Sequence, residues 1–183
     1  MNILLIEANQ KLYESKGELN HSLCAQAKKY LSKAENQVTV SCISKGDWNI
    51  QEEISKLKQA DLIIYHFPLW WFGTPSVLKK YFDEVLQHRE IFVMTEIYGE
   101  GGLLKGKKFM ISVTSNMSKS DLGNAPIMKK IKDIDEILIQ IILTNKYIGI
   151  REQLPTFHSD NVIKGDTNEL DSNYRQHLQN IAL

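Results

Sequence analysis

Short runs of apolar residues alternate with helical patterns from one end of the chain to the other, and that alternation restricts the fold more than any other feature. "NILLIEA" reads as a short buried strand, after which Leu19, Leu23, Ala27, Tyr30 and Leu31 recur at helical spacing. "VTVSCI" is a second strand and "IQEEISKLKQA" a second helix. "DLIIYHF" is a third, fully apolar strand. "PSVLKKYFDEVL" then puts Val77, Leu78, Tyr81, Phe82 and Val85 on one helical face, with Pro75 suited to the first turn. "KKFMISVT" is a fourth strand, and "IMKKIKDIDEILIQIILTNKYI" contains a long helix. "REQLPTF" is a fifth strand, and Pro155 inside it argues for a sheet edge, where a missing N–H is tolerated. "ELDSNYRQHLQNIAL" closes as a helix. The pattern predicts an α/β fold: a doubly wound, five-stranded parallel sheet of order 2-1-3-4-5 with helices on both faces. No repeat or linker interrupts it, so residues 1–183 are expected to form one domain.

Charge and cysteine content remove several function classes. Lys plus Arg and Asp plus Glu each number 22, so the formal net charge is zero. A nucleic-acid binder would show a basic field, and balanced charge does not steer a protein to anionic membranes. Cys24 and Cys42 lie in no CxxC pair and near no cluster with metal spacing, which argues against a metal site. Both continue apolar patterns and read as small core residues in a reducing compartment. The amino terminus lacks the basic start and cleavage site of a signal peptide, and no apolar window is long enough to span a bilayer. The expectation is a cytoplasmic protein without membrane insertion.

In a sheet of this order, ligands bind beyond the carboxyl ends of the strands, where the order reverses between strands one and three. The loops after strands one, three and four therefore carry the candidates. The first, "EANQKLYESKGELNHSL", has neither GxGxxG nor GxxxxGKS. It delivers Ser15, Gly17 and Asn20 to a helix start, a position that suits phosphate. The same residues would equally make a plain helix cap. The second loop carries Leu69, Trp70, Trp71, Phe72 and Gly73. Its backbone N–H groups can face the edge of a flat, polar heterocycle while the rings wall it. Core plugs or a dimer contact would also use such aromatics. In the third loop, Thr114, Ser115 and Asn116 offer small hydrogen-bonding groups, as ordinary turns also do. Tyr98 lies in "EIYGEGGLLKGKKF", whose glycines suit a flexible excursion; it could serve a pocket or stand as a surface aromatic. His66 reads as a near-core histidine, and His158 as too near the edge to contribute.

Taken together, "FPLWWFGTPSVLKKYFDEV", "YGEGGLLKGKKFMISVT", "SKGELNHSL" and "LPTFHSDNVIKGD" resemble the flavodoxin-like NAD(P)H:quinone reductases, above all the bacterial modulator of drug activity B type. Mammalian DT-diaphorase is a more distant relative. The resemblance implies a homodimeric flavoenzyme with FAD between the strand-end loops, FMN being the weaker alternative. NADPH or NADH would donate hydride, and a quinone or other flat acceptor would receive it, in a ping-pong exchange through one slot. By position, Ser15, Gly17, Leu19 and Asn20 would handle the diphosphate. Pro68, Leu69, Trp70, Trp71, Phe72 and Gly73 would line the isoalloxazine, and Thr114 and Asn116 would match the family's contacts after strand four. Tyr98 would approach the flavin from the partner subunit as a catalytic candidate, the chemistry being otherwise flavin-borne. The Thr-Thr-Gly-Gly pattern and the Tyr/His catalytic pair of the mammalian branch have no equivalent here. Two other roles stand beside this one: an FMN electron carrier, whose Thr/Ser-rich phosphate loop is missing, and an ancillary regulatory subunit of the potassium-efflux type.

Overall fold

A computed structural model of the chain describes residues 1–12, 15–163 and 169–181. The strands are β1 (Asn2–Glu7), β2 (Gln37–Cys42), β3 (Leu62–Pro68), β4 (Lys108–Thr114), β5 (Glu152–Gln153) and β6 (Phe157–Ser159). The helices are α1 (Glu18–Leu31), α2 (Ile50–Gln59), α3 (Ser76–Val85), α4 (Ile134–Ile137), α5 (Ile139–Tyr147) and α6 (Leu170–Asn180). All strand pairs are parallel, in the order β2-β1-β3-β4-β5, with β6 also on β4. This is the predicted order, with the switch point between β1 and β3.

Strand side chains alternate between two apolar layers, as pleating requires. Leu4, Ile6, Ile63, Tyr65, Phe67, Phe109, Ile111 and Val113 pack with α2, α3 and α5. Ile3, Leu5, Leu62, Ile64 and Met110 pack with Leu23, Ala27 and Leu31 of α1 and Tyr174 and Leu178 of α6. Among the described residues no helix is long and apolar enough to cross a membrane.

Four details depart from the sequence reading. The fifth strand is two short pieces on either side of Leu154–Thr156, because Pro155 interrupts the ladder. The long helix is also broken. Asp133 caps α4 by accepting from the Asp135 N–H at 2.8 Å, which ends any helix upstream, and Leu138 (φ −86, ψ 11) separates α4 from α5. Cys42 is exposed, because it is the last residue of the edge strand β2; Cys24 alone is buried. The glycine-rich excursion before β4 is docked. A Cβ on Gly101 would fall 1.8 Å from the Val93 carbonyl oxygen, and one on Gly102 would fall 2.1 Å from the Gly149 nitrogen. Glycine is there for close backbone crossings. Of the closing helix, residues 182 and 183 lie outside the described residues.

Candidate functional site

The carboxyl ends of β3 and β4 and the first turn of α1 meet at Thr114. The Leu69 N–H donates to the Thr114 carbonyl at 2.8 Å, and Asn20 Nδ2 donates to the Thr114 hydroxyl at 2.9 Å. Asn20 and Thr114 are both 3% exposed. Among the described residues, buried Asn20 Oδ1 has no hydrogen-bond partner.

Gly17 begins α1 in the left-handed region (φ 75), and among the described residues no side chain caps the helix. Glycine is needed on two counts: the positive φ, and the Asn9 carbonyl oxygen 2.8 Å from where a Cβ would sit. Ser15 is not the cap. It pairs with Leu12 through reciprocal backbone bonds of 3.0 and 2.9 Å; residues 13 and 14 between them lie outside the described residues. Among the described residues Ser15 and Asn20 do not act as the plain cap, and the first-turn N–H groups of α1, Leu19 among them, carry no partner.

The aromatic loop is a two-residue turn. Trp70 and Gly73 exchange backbone bonds of 3.0 and 2.9 Å, with Trp71 (φ 50) and Phe72 (φ 60) at its tip. Two bulky residues at positive φ are strained, by about 1–3 kcal/mol each. Trp71 is 95% exposed and Phe72 51%, so neither plugs the core. Leu69, Trp70 and Gly73 spend their N–H groups on the fold. The N–H groups of Trp71 and Phe72 remain. Pro68 is buried as the last residue of β3. A Cβ on Gly73 would meet nothing in this chain closer than 3.7 Å, so the chain's own packing does not demand glycine there.

Beyond Thr114 the chain turns into a cleft of about 750 Å³, lined among others by Leu122, Ile134, Thr156, Phe157, His158 and His177. His158 Nε2 meets Ser115 Oγ at 2.8 Å, while its buried Nδ1 has no partner among the described residues. Burial lowers its pKa, which keeps the ring neutral and its hydrogen-bonding capacity open. Sequence reasoning passed over His158. The signal was register: β6 pairs with β4 so that His158 lies opposite Val113, two residues from Ser115. Asn116, exposed at the rim, accepts from the Ile163 N–H at 3.3 Å.

His66 lies fully buried beneath the site with Nε2 2.7 Å from the Tyr174 hydroxyl, and burial pulls its pKa down to about 3. It is a core histidine, as read. Tyr98 stands apart from the other candidates within the chain. It is 90% exposed and packs on Tyr147 at the far end of α5, ring centroids 5.4 Å apart. The aromatic turn touches the near end of α5, where Gln140 Nε2 reaches Thr74 Oγ1 at 3.5 Å. The intervening helix measures about 10 Å. Among the described residues no cluster of His, Cys, Asp and Glu could hold a metal ion.

This combination, a parallel sheet with an open helix end and an exposed aromatic turn at its switch point, defines a flavodoxin-like protein. A family model described as flavodoxin-like fold matches residues 1–181. NADPH:quinone oxidoreductase MdaB of Haemophilus influenzae is 33% identical over 192 aligned positions, covering 99% of each chain. The chain belongs to the flavodoxin-like NAD(P)H:quinone reductase family, of that type. Solved structures agree on the fold. One, described as a candidate quinone reductase from Klebsiella pneumoniae, superposes with a TM-score of 0.78 at 23% identity, over 100% of this chain and 85% of that one. General stress protein 14 of Treponema denticola, solved in complex with FMN, superposes with 0.69 at 19% identity, over 98% and 94%.

Proposed function

We propose that the protein is an NAD(P)H:quinone oxidoreductase that works through bound FAD. The observation that carries the reading is the junction of Asn20, Thr114 and Leu69. It sets the start of α1 and two available peptide N–H groups side by side at the switch point, with an open cleft beyond β4, on the β6 side.

The residues present fit the cofactor. Gly17, Leu19 and Asn20 offer the start of α1 to the diphosphate, with Ser15 beside it. Pro68, Leu69, Trp70 and Gly73 would form the wall next to the isoalloxazine, and the Trp71 and Phe72 N–H groups would serve its polar edge. Thr114 holds this wall against α1, and Asn116 sits on the rim. The cleft beyond Ser115 would take the adenosine half, with polar groups such as Lys119, Lys132 and Thr156 in its lining. Its volume lies in the range usual for small-molecule pockets. FMN has nothing to put there, which favours FAD.

A bound flavin would accept hydride from NADPH or NADH and pass two electrons, with protons, to a quinone that takes the nicotinamide's place, giving NAD(P)⁺ and hydroquinone. The chain's own work is placement. The turn's N–H dipoles stabilise negative charge on the ring edge, and the Trp71 ring stacks whichever flat molecule occupies the slot. The relative from Haemophilus influenzae, named for this reaction, supports the reaction class.

The active form is a homodimer. Ile139 and Leu143 are 49% and 56% exposed on the outer face of α5, and Met94, Ile97 and Tyr98 are 84%, 70% and 90% exposed beside it. Leu86, Phe92, Leu143 and Tyr147 line an adjoining groove of about 490 Å³. An apolar patch of this kind marks an interface. It is continuous with the aromatic turn through Gln140, so the partner's Tyr98 closes the slot that this chain's Tyr98 cannot reach.

Heat-released cofactor, identified by chromatography, tests the reading together with quinone-dependent NADPH oxidation. FAD and turnover with menadione are expected. FMN, as in the Treponema denticola structure, would leave the cleft without an adenosine. A flavin-loaded protein that oxidises no NADPH would return the chain to an electron carrier or ancillary subunit.

A further inference from the structure

Behind the open end of α1 lies a polar chain to which the reaction assigns no part. The Glu7 carboxylate, 4% exposed at the end of β1, accepts from Asn9 Nδ2 at 2.5 Å and meets His21 Nδ1 at 2.8 Å. Asn9 Nδ2 also reaches the Gly17 carbonyl oxygen at 3.3 Å, and Asn9 Oδ1 accepts from the Ser44 hydroxyl of the loop after β2. The Asn9 backbone lies against Gly17, which cannot carry a Cβ for that reason. One amide therefore ties together the loops after β1 and β2 and the residue that opens α1.

A carboxylate buried within a few residues of an anion-binding helix end is electrostatically adverse unless it does something else. Here it fixes which way the Asn9 amide points. With Oδ1 taken by Ser44, only Nδ2 can face Glu7 and Gly17. The Gly17 carbonyl also accepts the first helical bond, from the His21 N–H at 3.1 Å, so the Asn9 contact is a second restraint on the peptide that opens α1.

We propose, resting on the flavin reading above, that Glu7 and Asn9 are positioning residues for the phosphates of the cofactor, acting through the Gly17 peptide without touching the ligand. The alternative, an ordinary loop brace, would support every part of the cofactor alike. The phosphates separate the two.

The test uses the full-length protein, stripped of flavin and titrated with FAD and with riboflavin, which has no phosphate, by flavin fluorescence. Glu7→Ala and Asn9→Ala are each expected to weaken FAD about tenfold, the loss of one charge-assisted hydrogen bond, and to leave riboflavin unchanged. Glu7→Gln, whose amide oxygen still accepts from Asn9, should stay within about threefold of the parent. The double Ala variant should bind no worse than either single one, because both break the same chain. Additive losses, equal weakening of riboflavin, or a Gln variant as weak as Glu7→Ala would each overturn the proposal. Unmodified protein that binds neither flavin would overturn the cofactor reading itself, and the proposal with it.

Discussion

Asn20 and Thr114, 94 positions apart in sequence, share a buried 2.9 Å hydrogen bond that joins the start of α1 to the end of β4. The Thr114 carbonyl holds Leu69 at the same time, so one residue aligns the proposed phosphate and ring sites. Thr114→Val would leave Asn20 buried with both polar ends unpaired. Stability should fall by about 1–3 kcal/mol, read from urea unfolding, and flavin content should fall with it. Thr114→Ser should restore both. A Val variant as stable as the parent would show that the bond does not hold the loops.

Trp71 separates stability from turnover. Its ring is 95% exposed, so Trp71→Ala should change unfolding free energy by no more than about 0.5 kcal/mol. Quinone-dependent NADPH oxidation per bound flavin should fall at least about tenfold, because the slot loses its stacking wall. Melting temperature and activity on one sample decide it. A large melting shift with unchanged activity would reject the slot assignment.

Much of this was legible beforehand, and the exceptions have physical causes. β1, β3 and β4 are mainly apolar runs and β2 (QVTVSC) alternates apolar with polar, and their order follows from the alternation with helices. The turn at Trp71 and Phe72 was not legible as such, because positive φ at both tip residues is usually announced by Asn or Gly. Asp133 stopped a helix that the apolar spacing extended, a local capping bond overriding propensity. Gly101 and Gly102 looked like flexibility, since the backbones they accommodate come from distant residues such as Gly149. His158 came beside Ser115 through the pairing of a three-residue strand that no pattern isolates.

His66 makes stability sensitive to acid. Its folded pKa, about 3, lies below the ordinary 6.5, because burial disfavours the charged ring. Below pH 6.5 the unfolded chain therefore takes up a proton that the folded one refuses. The histidine's contribution is complete above that pH and is lost progressively toward pH 3. His158 and His177 are lowered by burial as well and act in the same direction. Unfolding free energy should fall toward acid by up to about 1.4 kcal/mol per pH unit for each such proton. His66→Gln should flatten that limb in urea unfolding between pH 4 and 6, roughly the window set by the shift. An unchanged slope would show that His66 is not the source.

Leu143 probes the assembly. It is 56% exposed between Ile139 and Tyr147 on α5. Leu143→Glu should leave the fold intact and move the protein from dimer to monomer in light scattering. Activity should drop while flavin stays bound, since in the proposed dimer the partner's Tyr98 would be withdrawn. The same mass for parent and variant would remove this face from the interface.

The central claim is a two-electron exchange in one slot, and anaerobic half-reactions test it most directly. The flavin-loaded protein should be bleached by one equivalent of NADPH. After excess nucleotide is removed, one equivalent of menadione should restore the oxidised spectrum and yield the hydroquinone, with no one-electron species in between. Failure to bleach, or recovery only through a stable radical spectrum, would contradict it.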